Sequence, residues 1–315
     1  MTGKELAMES ENNPKKAYVV CAHSAFFPGL VASLNGLDLY GTTADVHWIY
    51  DDTAGEHEND KARELISRMN DCDWSFPIYA RPISELIEWW PTAIQRHRGW
   101  QFRFYKYKFL AKIAKDYDVV GCFDADMLVL AQLDPWFDLA ANSKYMLSAD
   151  HNFVEYAQIQ QYDEKFARDG WRKGPLSNFP VLCNPSKWCN VFDTIWGLAC
   201  SFSEDALELP HFNRAIWECG RTQDIVVLPD AQWNRHWIYH FRLERHGPED
   251  EAPMFFTNPT QLRIQMVHGR WWVKSYCDDE IRRTKENEGF CDNVRALNEL
   301  YAKVLTQGKL KYDFV

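Results

Sequence analysis

The chain reads as an α/β protein, with one large domain on a mostly parallel central sheet flanked by helices. Continuous apolar runs at Ala17 to Ala22, Asp45 to Tyr50 and Asp118 to Phe123 have the length and character of strands buried on both faces. Segments with helical spacing separate them, and strand–helix alternation implies parallel pairing. Acidic residues collect where two of these runs end, at Asp51-Asp52 and Asp124-Ala125-Asp126. In such sheets ligands sit outside the carboxyl ends of the strands.

In chain order, Met1 to Lys16 is polar and charged, lacks the apolar core of a signal peptide, and is expected to be a disordered leader. Ala17 to Ala22 is the first strand, and His23 to Gly29 is a loop. Leu30, Leu34 and Leu37 give Leu30 to Tyr40 a helical face. Asp45 to Tyr50 is the second strand. Lys61 to Asn70 is a helix, and Ser75 to Ala80 a short third strand. Tyr105 to Lys115 is a helix with Phe109, Leu110 and Ile113 on its buried side. A strand ending at Asp124-Ala125-Asp126 follows, then a second apolar run.

Beyond Asp126 the pattern becomes mixed. Pro135 to Leu139 suggests a helical turn, and Tyr145 to Ala149 a strand leading into Asp150-His151. Gln158 to Trp171 reads as a polar surface loop or helix. Ser177 to Pro185 is a strand between turns. Ser186 is expected to cap a helix through Trp188, Phe192, Ile195 and Trp196. Phe212 to Glu218 is another helix, and Ile225 to Pro229 another strand. Gln261 to Val267 alternates like a half-exposed strand and delivers His268 at its end. Asn293 to Leu305 is a terminal helix.

Composition narrows the function classes. The net charge of −10 argues against a general nucleic-acid binder. Nine scattered cysteines without zinc-type pairing suit free thiols in a reducing, cytoplasmic compartment. No apolar stretch reaches the length of a transmembrane helix. One local basic stretch stands out: Arg96, His97, Arg98, Arg103, Lys106, Lys108 and Lys112, interleaved with Trp100, Phe102, Phe104, Tyr105 and Tyr107. It reads either as a solvated helix face or as a cationic flank for phosphates.

Asp124 and Asp126, two residues apart at a strand end, point to one side if the strand continues. Desolvating two such carboxylates costs several kcal/mol per ion, so a divalent cation with oxygen ligands is a natural partner. An Asp-rich turn is the plainer reading. Cys21 to Ser24 and Tyr50-Asp51-Asp52 follow buried strands and open at the same edge. His23 or Tyr50 is suited to stack on a nucleobase, and Asp51 or Asp52 to bond the base or ribose.

Four blocks in order, from Ala17 to Lys274, resemble a nucleotide-sugar glycosyltransferase of the GT-A type, close to the retaining glycogenin-like group, glycosyltransferase family 8. The opening block is Phe26-Phe27-Pro28-Gly29-Leu30. The metal block runs from Tyr107-Lys108-Phe109 through Phe123 to Val129, then Leu133 to Leu139. Asn178 to Trp188 is similar to the family's Asn-Pro-Ser segment. Leu228-Pro229, Trp233-Asn234 and Val267-His268-Gly269-Arg270 are similar to the closing blocks.

The resemblance implies a GT-A, Rossmann-like fold and a role for each matching residue. Asp124 would contact the ribose or a metal, and Asp126 would bind Mn2+ (or Mg2+), with His268 as third protein ligand. Lys274, after His268-Gly269-Arg270, would meet the diphosphate, with Gly269 beside it. Arg103 and Lys108 would lie near the nucleotide. Asn178, Asp150 and Glu208 are the catalytic candidates, the two carboxylates steadying positive charge at the sugar carbon. Two departures stand out. Phe179-Pro180 replaces Ser-Gly after Asn178, and Glu208-Leu209-Pro210 stands where the family has an Asp-Gln pair. Trp271-Trp272 would suit a sugar or base face, or ordinary core.

The implied activity is metal-dependent, retaining transfer from a nucleoside-diphosphate sugar, expected to be a UDP-sugar, to a hydroxyl acceptor. The acceptor could be a glycan, a protein, a lipid-linked sugar or a modified DNA base. Two alternatives share the fold: a phage-type transferase acting on a modified DNA base, and a non-catalytic sugar- or nucleotide-binding module. A dehalogenase-like phosphatase is disfavoured, because its Asp-x-Asp ends the first strand. The expected organisation is a leader (1–16), a transferase domain (17–275, with a nucleotide half 17–140 and an acceptor half 141–275) and a helical extension (276–315).

Overall fold

The structure is a computed structural model that describes residues 13–89, 102–129, 132–141, 143–150, 176–201, 208–228, 235–236, 266–268, 299 and 301–311. Among the described residues, two sheets organise it. The larger has seven strands: β1 (Lys16–Cys21), β2 (Asp45–Tyr50), β3 (Ile78–Pro82), β4 (Val119–Cys122), β6 (Met146–Asp150), β7 (Leu176–Cys183) and β8 (Ile225–Leu228). Their spatial order is β3-β2-β1-β4-β7-β6-β8. Every neighbouring pair is parallel except those made by β7, which runs against both β4 and β6. The smaller sheet pairs β5 (Met127–Val129) with β10 (Met266–His268), and β10 with β9 (Arg235–His236).

The apolar runs become inner strands because both faces are covered. In β1, Ala17, Tyr18, Val19 and Val20 are all buried, although successive residues point to opposite faces. On one face Tyr18 packs edge-on against Phe137 of α4 (Asp134–Ala141), and Trp48 against Phe27 of α1 (Phe27–Leu39). On the other face His47 meets Phe109 of α3 (Tyr105–Lys112). Behind α3 lies α5 (Pro185–Ser201), with Tyr105 against Trp196.

Several boundaries differ from the sequence reading. Helix α2 spans Glu56–Asn70, a turn earlier than expected, because Gly55 at φ 114° starts it. Its first turn is polar, so apolar spacing did not reveal it, while Glu56 and Glu58 complement the helix dipole. β3 starts at Ile78 because Ser75 is held in a turn by Asp38, donating to its carboxylate from both N–H and hydroxyl. Pro82 is tolerated there because β3 is an edge strand.

Ser186 does not cap α5, which begins at Pro185; its hydroxyl instead donates to the Ala114 carbonyl at 2.9 Å. Helix α6 (Glu208–Glu218) starts earlier than Phe212, with Pro210 in its first turn, where a missing N–H costs nothing. The strand expected at Gln261 to Val267 is described only as β10, so His268 lies within it. Of the terminal helix, 301–307 is described, and Tyr301 and Leu305 are buried in the core. Residues 1–12 of the leader and Gln158 to Trp171 lie outside the described residues.

One glycine fixes how close α1 comes to β5. A Cβ on Gly36 would lie 2.6 Å from the Val129 carbonyl oxygen, a backbone atom that cannot swing aside. Gly36→Ala is expected to destabilise the fold by about 1–3 kcal/mol, read as a lower urea midpoint at unchanged slope.

Candidate active site

The strand order places a topological switch between β1 and β4, where a parallel sheet opens a cleft at its carboxyl edge. His23 follows β1, Tyr50-Asp51-Asp52 ends β2, and Asp124 follows β4. Asp150 ends β6, which is parallel to these strands. Asn178 lies near the start of the reversed β7, so it reaches the same edge.

At the centre of this edge is Lys106 on α3, 1% exposed in its side chain, 3.3 Å from Asp124 Oδ1 and 2.6 Å from Glu208 Oε1. Burial opposes the Lys106 charge, but Asp124 and Glu208 outweigh it and hold the ammonium above the usual lysine range. Burial pushes the Glu208 carboxyl up, with Asp124 adding to the effect, while Lys106 and Arg103 pull it down. Asp124 keeps 26% of its side chain exposed, so it is the member of the triad open to a ligand. Cys122 beside it is no nucleophile: burial pushes its thiol up to about 12.

Sequence reasoning placed Arg103 and Lys108 near the nucleotide and read Lys106 only as one cation of the basic stretch. In the structure the Lys108 ammonium lies 3.7 Å from Asp193 on α5. Helical spacing held the signal: Lys106 shares one face with Phe109, Leu110 and Ile113, at separations of three, four and seven. A charge on a buried face needs a partner, and two carboxylates supply it.

Around the triad the nucleotide-side candidates gather. Burial lowers the His23 pKa, Arg103 reinforcing this while Glu58 and Asp51 oppose it; Arg103 also acts on Glu208. His23 packs edge-on against Phe26 at 4.9 Å. Asp51 accepts from the Thr53 N–H and hydroxyl at 2.9 and 2.6 Å, forming a turn. Asp52 accepts from the Ser84 N–H at 3.0 Å, tying β2 to the segment after β3. Burial raises the Tyr50 phenol, with Asp52 and Glu85 contributing.

Asp124 and Asp126 lie in a turn rather than on a continuing strand: the Met127 N–H donates to the Asp124 carbonyl at 3.1 Å, and β5 begins there. β10 runs antiparallel to β5, with His268 opposite Met127. The backbones of Asp126 and His268 are thus neighbours despite their distance in sequence. Among the described residues, whose side chains do not include that of His268, no three His, Cys, Asp or Glu side chains converge as metal ligands. The side chains of Asp150 and Asn178, residues Gly269 and Lys274, and Arg96 to Trp100 of the basic stretch lie outside the described residues.

No family model matches the chain, and no curated protein matches it in sequence. Solved structures do resemble it. The galactosyltransferase LgtC, solved with donor and acceptor sugar analogs, superposes with TM-score 0.55 at 13% identity, covering 91% of this chain and 95% of that one. The bifunctional glycosyltransferase WbbM gives 0.53 at 12% identity, over 90% of this chain and 51% of the other. The glycosyltransferase GlyE of Streptococcus pneumoniae TIGR4 gives 0.51 at 15% identity, over 96% of this chain and 66% of the other. At such identities the likeness is one of fold, and the fold is the GT-A, Rossmann-like fold of glycosyltransferases.

Proposed function

We propose that the chain is a metal-dependent, retaining glycosyltransferase that moves a sugar from a nucleoside-diphosphate sugar, a UDP-sugar, to a hydroxyl acceptor. The observation that carries this reading is the β5–β10 pairing, which sets His268 opposite the residue after Asp126. A carboxylate and an imidazole brought together there would be oxygen and nitrogen donors suited to Mn2+ or Mg2+. Asp126 and His268 would hold the ion, with Asp124 shared between it and the ribose. Bound there, the cation would neutralise charge on the leaving diphosphate.

The chain's own groups supply the rest. Lys106 fixes Asp124 through their ion pair and adds positive charge to the cleft. Glu208 fixes Lys106 from the other side. Arg103 would flank the nucleotide, and Gly269 and Lys274, continuing from β10, would meet the diphosphate. His23, Tyr50, Asp51 and Asp52 would border the base and ribose. In same-face transfer a departing phosphate oxygen takes the acceptor proton, so no strong base is required. The enzyme's task is orientation and charge stabilisation. Asp150 and Glu208 would steady the sugar carbon, and Asn178 would face the acceptor.

Two results follow. Incubating the chain with Mn2+ and a panel of nucleotide sugars, read by mass spectrometry, should show one donor losing its nucleoside diphosphate; a panel left intact, with and without sugar acceptors, opposes the reading. Asp51→Ala should raise KM for that donor roughly tenfold with kcat nearly unchanged, because its contacts are remote from the reacting carbon. Unchanged nucleotide affinity by calorimetry would remove the base from this part of the cleft.

A further inference from the structure

Residues 301–311 reach back to the acidic turn. Tyr301 is fully buried, and its hydroxyl donates to the Asp126 carbonyl at 3.2 Å. The same segment is fastened to α1. The buried Asn35 side chain donates to the Leu310 carbonyl at 2.9 Å and accepts from the Leu310 N–H at 3.1 Å. Gly308 presses so closely that a Cβ there would lie 2.0 Å from Asn35 Cγ. Lys309 adds an ion pair to Asp38 at 3.0 Å.

Helix α1 grips the next carbonyl along. The Ser33 hydroxyl donates to the Met127 carbonyl, and Gly36 admits the Val129 carbonyl. Consecutive carbonyls at 126 and 127 are therefore satisfied by two side-chain hydroxyls from two elements, themselves clipped together by Asn35. Buried carbonyls need donors, so these contacts fix where the turn sits. Met127 is also the residue that faces His268.

We infer that residues 301–311 brace the acidic turn, with Tyr301 as a positioning residue that sets where Asp126 presents its carboxylate. The catalytic half of this inference rests on the donor-site reading of Asp126; the brace itself does not.

The test compares the full chain with Tyr301→Phe and Gly308→Ala by hydrogen exchange and by donor turnover. Tyr301→Phe keeps the ring and removes one donor. Amides of 122–130 should exchange roughly fivefold faster, the factor one net hydrogen bond is worth. Amides of β1 and β2 should be unchanged. The donor kcat should fall by a similar factor, with KM within about twofold. Gly308→Ala, which forces the segment off Asn35, should produce the larger effect. Unchanged exchange at 122–130 in both variants overturns the brace. Faster exchange everywhere, or local loosening with kcat intact, overturns the positioning role. A wild-type chain that turns over no nucleotide sugar overturns the donor-site reading, and exchange at 122–130 then still decides the brace.

Discussion

Asp126→Ala is expected to lower sugar transfer by roughly a thousandfold while leaving the chain folded. The residue is half-buried just before β5, and its backbone carbonyl accepts from the Tyr301 hydroxyl. Its removal opens no core cavity, so thermal unfolding should shift little. Its proposed task is to hold the cation that offsets diphosphate charge. Losing about 4 kcal/mol of such stabilisation corresponds to about three decades in rate. Asp126→Asn separates charge from shape: it should be nearly as inactive at low Mn2+ and recover partly at high Mn2+. A variant with full activity in the presence of chelator would show that Asp126 holds no required metal.

Lys106→Met is expected to be the most destabilising single change in the cleft. The ammonium is buried between Asp124 and Glu208, and removing one partner of a buried ionic group costs about 3–5 kcal/mol. The loss should depend on pH in a definite direction. Glu208 has a raised pKa in the folded chain through burial, and losing Lys106 removes the main influence lowering it. A carboxyl with a raised folded pKa binds its proton more tightly when folded. Stability is then highest at low pH and falls as pH rises from the unfolded value through the folded one. The variant's unfolding midpoint should therefore climb toward wild type as pH falls from about 8 to about 5, as measured by chemical denaturation at each pH. Pairing Lys106→Met with Glu208→Leu should recover much of the loss at neutral pH, because a well-packed apolar pair replaces a broken ionic one. Equal losses at both pH values, with no rescue, would mean the triad contributes packing alone.

The strands at the centre of the sheet were legible because their residues are apolar on both faces, as any strand covered on both sides requires. β2 matches the reading residue for residue, β1 and β4 shift by one residue at each end, and Lys16 joins β1 with its ammonium buried against Asp134 at 3.4 Å. The carboxyl-edge position of His23, Asp51 and Asp124 followed from the same alternation. Ser186 was misread because a serine before an apolar face has the signature of a cap, whereas Pro185 already occupies the first helical position. The reversal of β7 was not legible, since nothing local distinguishes an antiparallel strand buried in a mixed sheet. Lys106 was hidden for a different reason. Its neighbours make it one of a run of cations; its helical spacing from Phe109, Leu110 and Ile113 marks the inward face, but the carboxylates that pair with it come from distant segments, after β4 and on α6. Tyr301 was beyond reach altogether, because its hydroxyl meets a backbone carbonyl, and a carbonyl leaves no mark in sequence.

The central claim is that the β5–β10 pairing builds a metal–diphosphate site from Asp126 and His268. A crystal of the full chain grown with Mn2+ and uridine diphosphate tests it directly through anomalous scattering. The account predicts one manganese peak on the order of 2 Å from an Asp126 oxygen and from a His268 ring nitrogen, with both phosphates of the nucleotide bound to it. Uridine diphosphate bound elsewhere, or manganese that contacts neither Asp126 nor His268, would contradict it.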